Sequence, residues 1–271
     1  MPPIITLTTD YGLKDSYVAG LKGAILTLCP AACLVDVTHL VPPQNIRWGA
    51  FVLATVFQDF PAGTVHLAVV DPEVGTNRRG LAVTSQRYRF VGPDNGIFSL
   101  VLQAESSWEA RSLENPEYWG SVVSTTFHGR DVFAPVAAHV ALGVPFQMLG
   151  PPCIPVAPTW GSVHRGTQGL AGEVLGADHF GNIITNLDRG SVEALGATLW
   201  LSVLIGGTSI DGLHDTYGAV PVGSLVALIG SHGYLEVAVN QGNAAEALAV
   251  AAGACVRVRR RQTMGEGSLL A

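Results

Sequence analysis

Over roughly the first 150 residues, short apolar runs alternate with longer mixed stretches, and the spacing of apolar positions switches between strand-like and helix-like periods. Ile4–Thr9, dense in Ile, Leu and Thr, reads as a strand ending at Asp10. Val18, Leu21, Ile25 and Leu28 then recur at helical spacing, with Asp15 as a cap and Pro30 as a stop. Leu34–Val37 gives the next strand. Asn45 opens a second helix, with Trp48, Val52, Thr55 and Val56 near one stripe, running to Pro61. Val65–Val70 has the unbroken apolar character of a central strand covered on both faces, and it gives way to the turn-forming Asp71-Pro72-Glu73-Val74-Gly75. Leu81–Thr84 and Tyr88–Val91 add two short strands before the turn Gly92-Pro93-Asp94-Asn95-Gly96, and a helix is predicted from about Asp131 to Leu142.

The pattern then changes. Pro145, Pro151, Pro152, Pro155 and Pro158 would break any helix and read as an interdomain linker. Beyond them come short β-like runs separated by Gly and Asn turns: Gly169–Leu175, Ile183–Asn186, Thr198–Ile205, Leu225–Ile229, Tyr234–Val239 and Cys255–Arg260. The expectation is an α/β domain with a central, largely parallel sheet over residues 1–155. A smaller all-β, barrel-like domain would follow over residues 156–271.

Composition narrows the class. With 48% hydrophobic and 13% charged residues among 271, the chain carries enough apolar side chains for a sizeable core. The net charge of −6 argues against a nucleic-acid partner, which needs clustered cations. Arg257, Arg259, Arg260 and Arg261 form the one basic cluster, and alternation with Val256 and Val258 makes them a solvated strand face. Cys29, Cys33, Cys153 and Cys255 are too scattered for a zinc site; Cys29 and Cys33 read as buried free thiols. No apolar run approaches the ~18–20 residues that span a bilayer. No signal-like leader precedes Ile4, so the expected compartment is cytoplasmic.

Asp10, Asp71 and Asp178 each follow an apolar strand, the place where open α/β sheets bind ligands, although an Asp there also serves as a cap or turn former. Asp71 has Arg78 and Arg79 downstream in a Gly- and Pro-rich loop, and His128-Gly129-Arg130-Asp131 stands at the mouth of a later helix. Carboxylate, guanidinium and imidazole together could bind and deprotonate water. His66 and His139, inside apolar runs, read as structural. No histidine stands in a metal-binding spacing, and phosphate loop, dinucleotide fingerprint and nucleophile elbow are missing from the sequence.

Five segments in order, Thr8–Val18, Asp71–Arg78, Gly92–Gly96, Thr126–Asp131 and Asp178–Asn182, resemble the S-adenosyl-L-methionine (SAM) hydroxide adenosyltransferases, relatives of fluorinase and chlorinase. Ser231-His232-Gly233-Tyr234-Leu235-Glu236 and Asn240 extend the likeness towards the end of the chain. The resemblance implies hydrolysis of SAM to adenosine and L-methionine, by water or hydroxide attacking ribose C5′. It implies Asp71, Arg78 and His128 as the catalytic set, with either Asp71 or His128 taking the proton. It places Asp10 on the ribose diol, Asp178 and Ser231 on the methionine moiety, Asn182 on adenine and Tyr217 at a stacking position, with Glu236 and Asn240 among the binding residues. It further implies a homotrimer with sites between subunits, and no metal or cofactor, SAM being the substrate. His232 departs from the family pattern, in which halogenases carry Arg and many hydrolases a small residue. The alternatives are a halogenase forming 5′-halo-adenosine, which the Asp71 carboxylate opposes, and a SAM or adenosine sensor without turnover.

Overall fold

The computed structural model describes residues 2–167 and 169–261, which fall into two compact units dividing between Pro158 and Thr159. In the first unit the strands are β1 (Ile4–Thr9), β2 (Cys33–Thr38), β3 (Val65–Val69), β4 (Gly80–Ser85), β5 (Arg89–Pro93) and β6 (Trp108–Ser112). They form one sheet in the order β2-β1-β3-β5-β4-β6. The helices are α1 (Tyr17–Leu28), α2 (Ile46–Val56), α3 (Ser99–Ala104) and α4 (Ala134–Ala141). Each residue of β3 is buried, between parallel neighbours β1 and β5, as its apolar run predicts.

The sheet is mixed. The β1–β2, β1–β3 and β3–β5 pairs are parallel, whereas β4 runs antiparallel to both β5 and β6. The reason is the connection: only residues 86–88 join β4 to β5, enough for a hairpin and far too few for a crossover. Polar β6, helix α3 and, in the second unit, the short strands His164–Gly166 and Thr208–Asp211 escape the sequence pattern. Trp108–Ser112 buries only Ala110 and Ser112, and it lies at the sheet edge.

Helix boundaries are close to expectation, their faces less so. Ser16, not Asp15, stands at the start of α1, without a side-chain cap, and Leu28 is exposed while Leu21, Ile25 and Cys29 are buried. Asn45 does cap α2, accepting from Trp48 N–H at 3.0 Å. The buried face of α2 is Gly49, Ala50, Phe51 and Leu53, with the predicted stripe only half-buried. The proline-rich stretch is no free tether: Cys153 N–H bonds Ala110 O at 3.1 Å, and Asp94 accepts from Val156 N–H at 2.8 Å.

The second unit contains β7 (His164–Gly166), β8 (Gly169–Ala177), β9 (Ile183–Asp188), β10 (Leu201–Ile205), β11 (Thr208–Asp211), β12 (Leu225–Ile229), β13 (Tyr234–Val239) and β14 (Cys255–Arg260), with short helices α5 (Arg189–Glu193) and α6 (Ala244–Leu248). The strands pair antiparallel in the order β11-β10-β14-β8-β9-β13-β12, and β7 joins β8. His214 N–H, just past β11, bonds Ala227 O of β12 at 2.8 Å, so the sheet nearly closes on itself. Val256 and Val258 point inward and the β14 arginines outward, as alternation predicts. All four cysteines are free, but Cys33 is exposed because it starts the edge strand β2. Among the described residues no helix is long and apolar enough to cross a membrane.

Candidate active site

The chain winds from β1 to β2 on one side, then returns to place β3 on the other flank of β1. This reversal opens a crevice at the carboxyl ends of β1 and β3. The register pairs Thr9 with Val69, so Asp10 and Asp71 emerge side by side there. They share a cavity of about 270 Å³ with Tyr11, Tyr17, Phe127 and His128.

Arg78 ties the site together. Its Nε donates to both Asp71 oxygens, at 2.8 and 3.0 Å, and its Nη2 donates to Asp71 Oδ2 as well. Both side chains are 6% exposed, so the pair is held in a poorly solvated place, with the guanidinium 5.0 Å from the Phe133 ring centre. Nη2 also donates to His128 Nδ1 at 2.9 Å. A guanidinium can only donate, so His128 Nδ1 is an acceptor and its ring proton sits on Nε2. Burial, then the Arg78 charge, hold the imidazole below its ordinary pKa, against the opposing pull of Asp71 and Asp131.

Asp10 sits higher than an ordinary carboxyl. Burial and the neighbouring Asp71 raise it, while the Gln44 N–H, donating to Oδ2 at 2.8 Å, lowers it. Gln44 holds a left-handed φ of 65° to make that bond, a strained backbone at the site that the sequence does not reveal. Tyr17 and Phe127 are likewise additions to the predicted set; their rings meet edge-on at 5.2 Å. An aromatic within Thr126–Asp131 was the only available signal for Phe127.

Three neighbours of the predicted set have structural tasks. Arg79 turns away from Arg78 to pair with Asp94 at 2.6 Å and to bond Ile154 O. Asp131 accepts from Arg130 Nε at 2.6 Å and from Ser124 N–H at 2.8 Å, clamping the segment that carries His128. One π-turn over Gly129–Phe133, closed by Ala134 N–H to Gly129 O, follows His128. Gly75 (φ 81°) packs so near Thr125 O that any side chain would overlap it, which locks the Asp71 loop against the His128 segment.

The second unit has its own concavity, of about 900 Å³, and Asp178, Asn182, Tyr217, Ser231, Glu236 and Asn240 all line it. Buried Glu236 accepts from Tyr217 Oη at 2.7 Å and pairs with His232 Nε2 at 3.1 Å. Burial, then this bond, push the Tyr217 phenol up to about 12. Gly230 leaves the space these side chains occupy. Asp178 organises the β8–β9 turn: Oδ1 accepts from Phe180 N–H and Asn182 N–H, and Oδ2 from Asn182 Nδ2, all at 2.9 Å. Asn240 spends its Nδ2 on Val220 O at 2.7 Å. Exposed Phe180 and Glu246 and half-buried Asn243 also line this pocket and were not singled out from the sequence.

Fold and site together define a two-unit protein: an α/β layer whose switch-point crevice holds a hydrogen-bonded acid–guanidinium–imidazole set, and an antiparallel barrel-like unit with a polar pocket. The chain belongs to the SAM hydroxide adenosyltransferase family, matching its N-terminal domain over residues 5–150 and its C-terminal domain over residues 172–257. It is 44% identical to an (R)-S-adenosyl-L-methionine hydrolase of Salinispora arenicola (94% of this chain, 97% of that one) and 43% identical to one of Thermus thermophilus (95% and 100%). A fluorinase of Nocardia brasiliensis is 28% identical over 95% of this chain and 97% of its own. Among solved structures, an uncharacterized conserved protein from Thermotoga maritima superimposes with a TM-score of 0.86 at 35% identity, covering 94% of this chain and 100% of that one.

Proposed function

We propose that this protein is an enzyme that hydrolyses S-adenosyl-L-methionine to adenosine and L-methionine, by water attacking ribose C5′ with expulsion of the neutral thioether. The observation that carries the reading is the poorly solvated Asp71–Arg78 pair joined to half-buried His128 at the switch-point crevice. Water is a poor nucleophile, so the site must take a proton from it. His128 already carries its ring proton on Nε2 and can only donate from there, which leaves Asp71 as the acceptor. In the proposed step water passes one proton to Asp71, accepts from His128 Nε2–H, and directs a lone pair at C5′. The C5′–S bond breaks with its electron pair on sulfur. Arg78 offsets negative charge on the carboxylate before transfer and on the hydroxide after it. Because an anion meets a sulfonium and the leaving group departs uncharged, the step calls for no general acid, metal or cofactor.

Asp10 is assigned to the two ribose hydroxyls, with the Gln44 N–H orienting its carboxylate. Asn182 is assigned to adenine, Tyr217 to stacking, and Asp178 and Ser231 to the methionine part; Glu236 holds Tyr217 in place, and Asn240 holds the rim. His232, bonded to Glu236, supports this network rather than gripping the methionine carboxylate as an arginine would. The reading carries with it a cytoplasmic homotrimer in which each site draws on two subunits. It is tested by incubating the purified protein with SAM in chloride buffer and separating the products. Adenosine and methionine are expected. 5′-Chloro-adenosine would make the protein a halogenase, and bound but unchanged SAM would make it a sensor.

A further inference from the structure

The phenol of Tyr11, in the first pocket, has no task in the reaction as described. Its ring packs on the core cluster around β1 and meets Phe127 edge-on at 5.7 Å and Tyr17 at 6.0 Å, so its direction is fixed. The hydroxyl comes to rest against Gly129, beside His128, and a Cβ on residue 129 would overlap it. Asp10, Asp71 and His128 line the same cavity. No group among the described residues hydrogen-bonds this hydroxyl, although the Tyr11 N–H does bond Thr9 Oγ1. Burial, then the charges of Asp10 and Asp71, push the phenol far up, with Arg78 opposing, so the hydroxyl keeps its proton.

We infer that the Tyr11 hydroxyl, admitted by the missing side chain of Gly129, donates a hydrogen bond to the attacking oxygen and fixes its position. The inference rests on the hydrolytic reading above. As water yields a proton to Asp71, its oxygen gains a third lone pair. One pair forms the bond to C5′, and the other two accept from His128 Nε2–H and Tyr11 Oη–H. The C5′–S electrons leave on sulfur, and Tyr11 ends with the proton it began with. Because the third lone pair exists only as hydroxide forms, this bond belongs to the transition state and its loss falls on kcat rather than KM.

The test compares Tyr11→Phe, Gly129→Ala and the double variant with the wild type, by SAM turnover and thermal melting. Tyr11→Phe is expected to lower kcat about tenfold, with KM within about twofold and melting unchanged. Gly129→Ala is expected to lose melting temperature that the double variant regains, because removing the hydroxyl makes room for the methyl group. Should Tyr11→Phe fail to fold, 3,5-difluorotyrosine at position 11 keeps ring and hydroxyl while lowering the phenol pKa. The groups facing it are Asp10 beside it, Asp71 and Arg78 from the loop after β3, and Tyr17 and His128 across the cavity. The alkaline limb of activity should then move to lower pH. Unchanged kcat in Tyr11→Phe, an unmoved alkaline limb, or a double variant no more stable than Gly129→Ala overturns the inference. If the wild type hydrolyses SAM meanwhile, the hydrolytic reading stands; a wild type without turnover overturns both.

Discussion

At the scale of residues, the three proposed catalytic groups are one hydrogen-bonded unit, and its polarity fixes what each can do. Arg78 donates to Asp71 and His128 alike, so it sets the His128 tautomer as well as the local charge. Arg78→Ala should therefore cut kcat by about a hundredfold or more while SAM affinity changes by less than about threefold. Equal losses in a turnover assay and a binding titration would remove its transition-state role. Protonating His128 requires Nδ1 to give up the Arg78 bond, and burial and that cation hold its pKa below the ordinary 6.5. The acid limb of kcat/KM should accordingly lie below pH 6.5, and a limb above that value would contradict the assignment. The sequence placed Arg78 and Arg79 together downstream of Asp71 in a turn-rich loop, but did not distinguish the one that pairs with Asp71 from the one that turns to Asp94. His128 was a candidate partner by residue type, and the family resemblance singled out the set, but spacing says nothing about which distant loops meet, so its bond to Arg78, fifty residues back, is visible only in the structure.

At the scale of elements, the loops are held by a few steric and polar details. Asn45 satisfies an otherwise open N–H at the start of α2, so Asn45→Ala should cost about 1 kcal/mol in denaturant unfolding. On β3, His66 lies among Phe57, Phe60, Tyr88 and Phe90 and bonds Thr6 Oγ1 at 2.8 Å. Burial lowers its pKa from 6.5 to about 4. Between those values the unfolded chain binds more protons than the folded one. The stability involved is whole above about pH 6.5 and is lost as pH falls towards 4, by at most roughly 3 kcal/mol. His66→Leu should flatten the melting temperature across that window; an equally steep dependence would place the effect elsewhere. His66 was readable as structural because a lone imidazole in an unbroken apolar strand has nowhere solvated to go. The face of α2 was misread because this helix packs on α3 as well as on the sheet, and a second partner blurs a one-sided stripe. Strand β6 was missed for the opposite reason, since an edge strand buries too little to impose alternation.

At the scale of the whole molecule, the proposed binding residues divide between two pockets: Asp10 with the catalytic set in one unit, and Asp178, Asn182, Tyr217, Ser231, Glu236 and Asn240 in the other. Strand and turn signals foretold an α/β unit and an antiparallel one, but nothing in a single chain's pattern states how copies assemble. If sites are shared between subunits, light scattering should give the mass of a trimer. Inactive Arg78→Ala and Asn182→Ala proteins, mixed by reversible dissociation, should then regain activity, because some sites receive two intact halves. No recovery from demonstrably mixed oligomers would confine each site to one chain. The central claim is that water attacks C5′ of SAM, and its most direct test is turnover in 18O-labelled water with mass analysis of the nucleoside and the amino acid. The account predicts one 18O atom in the 5′-hydroxyl of adenosine and none in methionine. Adenosine without label, or label in the methionine fragment, would contradict it.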